Sequence, residues 1–128
     1  MRKITRKGVV RKLDKLVGDI VKQRDGLCVT CGSMNNLQPG HLFSRVAYST
    51  RWDLNNTYCQ CRNCNLKHEY DPYPLTNYFI EIWGRKKLDA LHRQYVTPRK
   101  FKTYELEELY NELSKLVVEK VLREDKGH

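Results

Sequence analysis

Cys28-Val29-Thr30-Cys31 and Gln60-Cys61-Arg62-Asn63-Cys64-Asn65 decide how this chain folds, because they form two Cys-x-x-Cys knuckles separated by a long insert. A two-residue gap lets both thiolates of a pair converge on one ion, and tetrahedral zinc takes four soft ligands at such spacings. The insert becomes a loop that the metal closes. Four thiolates leave no open coordination position, so the expected zinc is structural, one per chain, held by Cys28, Cys31, Cys61 and Cys64. Cys59 is then the spare cysteine, since a shift of ligand from Cys61 to Cys59 would stretch the second gap to four residues. Five cysteines arranged this way point to metal in a reducing compartment and away from a disulfide framework. No βαβ pattern surrounds either knuckle to support a redox role.

Outward from the knuckles, the 128 residues fit one ordinary domain, and two independent cores are not expected. A 40% hydrophobic and 30% charged composition leaves a modest core that a metal cross-link would reinforce. Upstream, Val10, Leu13, Leu16, Val17, Ile20 and Val21 recur at three- and four-residue spacing, which predicts an amphipathic helix over 9–24 that stops at Asp25-Gly26. Gly18 counts slightly against it. Between the knuckles, Gly32, Asn35, Asn36, Pro39, Gly40 and Asn55-Asn56 break any helical period and predict short strands and loops. Helix-compatible sequence resumes over 65–70 until Pro72 and Pro74 end it.

Further downstream, 75–83 and 85–95 read as one helix broken at Gly84 or as two, closed by Pro98. The last segment, 103–124, has Thr103 as a candidate N-cap. Glu105, Glu107 and Glu108 fall in its first turn, Lys120 and Arg123 in its last. Its apolar stripe (Leu106, Leu109, Tyr110, Leu113, Leu116, Val117, Val121) can pack on the domain or pair with another copy. The organisation is thus a basic amphipathic arm or helix over 1–26, a zinc-bound core over 27–71, and a helical region over 72–128 that could dimerise.

The formal charge is +9, from 24 Lys and Arg against 15 Asp and Glu, which points to a polyanionic partner, nucleic acid first. The first 25 residues hold nine of the cations against three Asp, about two-thirds of the excess. Zinc on four thiolates would lower the working charge to about +7. Lys7, Arg11 and Lys15 on the predicted helix, with Arg45, Arg51 and Arg62 near the knuckles, are the candidate DNA-phosphate contacts. Trp52 and Trp83 read as core anchors in preference to base-stacking platforms. No apolar run has the length of a signal-peptide core or a membrane span, so the protein is expected in the cytoplasm, away from any membrane.

Within the insert lie Pro39-Gly40-His41-Leu42-Phe43-Ser44-Arg45 and Asp53-Leu54-Asn55-Asn56, and Asn65 follows the last cysteine. A His and two Asn in fixed relation to four zinc ligands resemble the HNH, or His-Me finger, nucleases. Asn56 to Asn65 has that family's spacing, with Asn65 in place of its final His, an arrangement also similar to phage endonuclease VII. Gly40-His41, Arg51 to Asn56, and Gln60-Cys61-Arg62-Asn63-Cys64-Asn65 more closely resemble the NinG (Rap) recombination proteins of lambdoid phages, over roughly residues 27–122.

This resemblance implies an α+β, mainly α fold with a zinc-stapled ββα (His-Me finger, treble-clef-like) core and flanking helices. It implies a phage-encoded, metal-dependent endonuclease that hydrolyses branched DNA such as Holliday junctions or D-loops, working as a homodimer in the host cytoplasm, with the last helix as interface. His41 would be the general base, since neutral imidazole titrates near physiological pH. Asn56 would orient its loop, and Asn65 would offer an amide oxygen to catalytic Mg²⁺ or Mn²⁺. Many family members carry an Asp metal ligand where this chain has Gly40, so Glu69, His68 or, less favoured, Asp53 must be considered for the missing ligand. The rivals are a non-catalytic zinc module that binds DNA or recruits a partner, an RNA-directed nuclease, and a general HNH nickase.

Overall fold

The computed structural model describes residues 4–126, and side chains as far as Val117. Helix α1 (Arg6–Asp25) is capped by Thr5, whose side chain accepts from the Gly8 N–H at 3.0 Å. It ends where Gly26 takes φ 73° and returns its N–H to the Lys22 carbonyl. Strands β1 (Leu37–His41) and β2 (Thr57–Cys61) form the antiparallel sheet, pairing Pro39 with Cys59, Gly40 with Tyr58 and His41 with Thr57. A single turn, α2 (Tyr48–Arg51), lies between the strands, and α3 (Arg62–His68) follows β2 without a break. Helices α4 (Tyr73–Trp83), α5 (Arg85–Val96) and α6 (Thr103–Lys126) complete an α+β, mainly helical chain.

β2 is buried along its whole length because it is packed on both faces. Cys59 joins Val9, Leu13, Val17 and Val21 of α1, Trp52, and Leu106 and Leu113 of α6 on one side. Its neighbour Tyr58 joins Leu42, Leu75, Phe79 and Leu91 on the other, as the two-residue period of a strand requires. There are two clusters where one was expected, but both share β2 and neither is independent. Gly18 is what lets α1 lie close to the sheet: a Cβ there would sit 3.3 Å from Pro39 Cγ.

Several local expectations are corrected. α3 starts at Arg62, three residues before the predicted 65, so Cys64 belongs to its first turn, and Cys61 is the N-cap. Pro74 opens α4 from within its first turn, where a missing N–H goes unneeded, with Pro72 as the N-cap. Gly84 separates two helices, α4 and α5. Thr103 lies inside α6; the Lys102 N–H, bonded to Glu105 Oε1 at 3.0 Å, marks the helix end one residue earlier. Trp52 is a core anchor, whereas Trp83 is 41% exposed, bonding Tyr58 Oη through its indole N–H under the Lys87 ammonium. Leu106, Leu109, Tyr110 and Leu113 pack on the α1 cluster, so that part of the last helix's stripe is occupied within the chain. The side chains of Lys120, Val121 and Arg123 lie outside the described residues. Among the described residues no helix is long and apolar enough to cross a membrane.

Candidate functional site

The first knuckle is a tight turn after α1, and the second straddles the end of β2 and the start of α3. Their sulfurs, Cys28, Cys31, Cys61 and Cys64, all lie within 4.8 Å of one another, and the Cys31 and Cys61 sulfurs are 3.7 Å apart. Zn–S bonds of about 2.3 Å in a tetrahedron put sulfurs about 3.8 Å apart, so the cluster can hold a zinc ion. Its thiols also need a cation. Burial raises Cys28, but hydrogen bonds from Thr30 and from nearby backbone N–H groups outweigh that and bring it to about 6. Burial and hydrogen bonds with the other three cysteines push Cys64 up to about 12, outweighing the lowering effect of Thr30. Cys59, two residues before Cys61 on β2, is fully buried in the cluster against α1 and is not among the four grouped sulfurs.

His41 ends β1 and opens into a cleft of about 570 Å³ between that strand, α1 and α3. Its Nε2 lies 3.0 Å from the Arg51 carbonyl. A carbonyl can only accept, so Nε2 carries the proton and Nδ1 keeps its lone pair in the neutral ring. Nδ1 has no partner among the described residues and is not sealed from solvent. Burial holds His41 below the ordinary imidazole value. The Arg51 carbonyl and Asp14 oppose that shift, and the Arg45 and Arg51 charges add to it.

Asn56 fixes the segment after His41. It is fully buried: Oδ1 accepts from the Phe43 N–H at 2.8 Å, and Nδ2 donates to the Phe43 and Thr50 carbonyls at 3.0 and 3.1 Å. It therefore acts on the loop and lies outside the cleft lining. Asn65 lines the cleft from α3. Its Nδ2 donates to Gln38 Oε1 at 3.0 Å, which leaves Oδ1 free. Glu69 borders the same cleft, exposed at the end of α3. Amide and carboxylate oxygens are the hard donors that Mg²⁺ or Mn²⁺ takes, so the cleft residues fit such an ion.

Of the other expected ligands, His68 also lines the cleft, but its Nε2–H donates to the Leu42 carbonyl at 2.9 Å and its Nδ1 is buried without a partner. Asp53 is turned away from the cleft, accepting from Gln94 Nε2 and the Asn55 N–H.

Arg45 and Arg51 are in the cleft; Arg62 faces the other side of α3, next to Ser33, Asn35 and Asn36. Arg51 is not a free cation. Its guanidinium grips Asp14 twice, at 3.0 and 2.6 Å, while Trp52 Nε1 at 2.9 Å and Arg45 at 3.3 Å share that carboxylate. Lys7 and Arg11 sit about two turns and one turn before Asp14 on the same side of α1, exposed. Lys15 is paired with Asp19 at 3.0 Å.

The sequence reading missed Asp14, counted there only as one of three Asp among the nine cations of the first 25 residues. Its interruption of the Lys and Arg face, one residue after a core Leu, was the available signal. It also missed Gln60 and the reason for Gly40. A Cβ at Gly40 would collide with Gln60 Oε1 and lie 3.2 Å from Asn65 Oδ1.

Fold and site define a small α+β protein whose four-cysteine cluster, able to hold a zinc, shares its strand pair and following helix with a cleft lined by His41, His68 and Asn65. The family described as Bacteriophage Lambda NinG protein matches residues 3–123, and the chain belongs to that family. No curated protein and no solved structure matches it.

Proposed function

We propose that this chain is a metal-dependent endonuclease of the His-Me finger type, acting in phage recombination on branched DNA. The observation that carries the reading is His41, whose Nε2–H is committed to the Arg51 carbonyl so that its Nδ1 lone pair is the group presented to the cleft beside Asn65. β1, β2 and α3 are the ββα unit that the reading requires, and a base held neutral by burial can take a proton from water at neutral pH. Asn65, with its Nδ2 bound to Gln38, would offer its oxygen to a Mg²⁺ or Mn²⁺ ion. Such an ion, when bound, supplies the positive charge that a phosphodiester needs at its leaving oxygen. Arg45, 60% exposed, can meet a phosphate, and the Lys7–Arg11 side of α1 continues the basic surface. The preference for four-way junctions and D-loops belongs to the resemblance drawn from the sequence, and a homodimer would supply the two sites needed to cut both strands.

The rival reading, a zinc module that binds DNA without cutting it, draws on Gly40, where a carboxylate ligand is absent. Purified protein incubated with four-way, forked, duplex and single-stranded DNA, with and without Mg²⁺ or Mn²⁺, separates the two. Cleavage of branched substrates is expected only with the cation, and His41→Ala should lower it by about 10²–10⁴-fold while binding persists. Binding without cleavage by the unaltered protein would favour the module, and undiminished cleavage by His41→Ala would remove the assigned base.

A further inference from the structure

Gln60 is 1% exposed, and its Oε1 is buried without any hydrogen-bond partner. A carboxamide oxygen sealed in that way has lost its water and gained no donor, so an orphan of this kind calls for an explanation. The strand register supplies part of one. Gln60 lies on β2 opposite Gln38, two residues along from the partner of Gly40, and its side chain runs back across the sheet to the glycine. A Cβ on Gly40 would lie 3.0 Å from Gln60 Cδ and 3.2 Å from Asn65 Oδ1, and would strike Gln60 Oε1. The absent side chain at position 40 therefore makes room for the Gln60 carboxamide, whose Oε1 fills that notch with Asn65 Oδ1 beside it. Neither oxygen has a donor. The nitrogen of Asn65 is held by Gln38, and that of Gln60 faces Thr30 Oγ1 at 3.4 Å.

We propose that Gln60 Oε1 and Asn65 Oδ1 together form a divalent-cation seat over Gly40, Gln60 supplying from β2 the oxygen that a carboxylate at position 40 would supply from β1. This rests on the nuclease reading above for its purpose, though not for its geometry. Two unpartnered oxygens at one notch repel each other, and a hard cation relieves both at once. With two neutral ligands the seat is weak by itself and gains strength from the anionic phosphate of a bound strand. Thr30 Oγ1, 3.3 Å from Cys28 Sγ, joins the Gln60 amide to the cysteine cluster, so the zinc knuckle sets the position of the seat.

The test is Mn²⁺ binding to the zinc-loaded full chain, followed by the electron paramagnetic resonance of free Mn²⁺, for the unaltered protein, Gln60→Leu and Gln60→Glu. Gln60→Leu is expected to weaken binding at least tenfold, and Gln60→Glu to tighten it by roughly tenfold, since ligand charge sets affinity at such sites. If the amide instead turns its nitrogen toward Asn65 Oδ1 as a plain positioning contact, Gln60→Glu removes a donor and weakens binding. That result, or unchanged binding by Gln60→Leu, overturns the proposal.

Zinc content and melting temperature show whether the variants fold. If they do not, the side-chain NH₂ resonances of ¹⁵N-labelled unaltered protein decide: substoichiometric Mn²⁺ should broaden those of Gln60 and Asn65 first, and sharp Gln60 signals refute the seat. Mn²⁺ binding that depends on Gln60 in a protein that cuts no DNA supports the seat and removes the nuclease reading. Cleavage lost in His41→Ala but indifferent to Gln60 does the reverse.

Discussion

The cysteine cluster and the His41 cleft lie at opposite ends of the same two strands, yet one is closed and the other open. At the knuckle end, four sulfurs lie within 4.8 Å of one another, enough to fill every ligand position of a tetrahedral ion from the chain. At the cleft end, the backbone is pinned just as firmly, by Asn56 behind His41 and by Asp14 beneath Arg51, but His41 Nδ1, His68 Nδ1 and Asn65 Oδ1 have no partner among the described residues. A rigid scaffold with unsatisfied groups at its centre is the arrangement expected where something from outside must bind. The contrast separates what holds this fold from what the fold is for, and it can be attacked from either end.

The largest effect is expected at the knuckle. A structural zinc contributes on the order of 10 kcal/mol, as much as the whole stability of a typical domain. Cys64→Ser, or a strong chelator acting on the unaltered protein, should therefore abolish the cooperative thermal transition followed by circular dichroism, with zinc lost in step. Cys59→Ala is the matched control, a buried cysteine of β2 outside the four-sulfur group. It removes one small buried side chain and should cost only about 1–2 kcal/mol with zinc content unchanged. Equal damage from both substitutions would mean that the sulfurs matter as core and not as ligands.

How much of this contrast could be read from residues alone follows from distance along the chain. The cysteine spacing, the α1 stripe and the break at Gly84 are local patterns, and each reappears in the fold at or near its expected place. Asn65 directly follows a knuckle and His41 lies in the insert between the two, and the structure lines one cleft with both. Arg62 is just as close to a knuckle in sequence but emerges on the far side of α3, since one helical step rotates a side chain by about 100°. Asp14 was illegible for another reason: its partners Arg51 and Trp52 are 37 and 38 residues away, and nothing local distinguishes it from an ordinary exposed acid. Gly40 was read as a deficit, the lack of a carboxylate, because its meaning depends on Gln60 across the strand pair.

Asp14 offers the next test. Its carboxylate collects Arg51, Trp52 and Arg45, and Arg51 in turn presents the carbonyl that holds His41. Asp14→Asn keeps the shape but gives up the charge-assisted bonds, which should cost about 1–2 kcal/mol in denaturant unfolding. The knuckle should not respond, so zinc content stays unchanged. A fall in cleavage larger than this destabilisation explains would place Asp14 in the positioning of His41. A fall in stability with cleavage intact would make it only a brace between α1 and α2.

The smallest effect is a displacement along the pH axis, and its sign is fixed by the surroundings of His41. Burial holds the ring below 6.5 and the Arg45 and Arg51 charges lower it further, while the Arg51 carbonyl and the Asp14 charge oppose them. The base is lost only as pH falls through that depressed value, so the acid limb of kcat/KM should have its midpoint below 6.5. Removing the Asp14 charge takes away one of the two raising influences, and Asp14→Asn should move the limb to still lower pH. Stability follows the same ordering. Between 6.5 and the folded value the unfolded chain binds a proton that folded His41 refuses, so stability declines as pH drops through that window, and His41→Gln should flatten the decline. An acid limb above 6.5, or one that rises in Asp14→Asn, would mean that the titrating base is some group other than the imidazole at the end of β1.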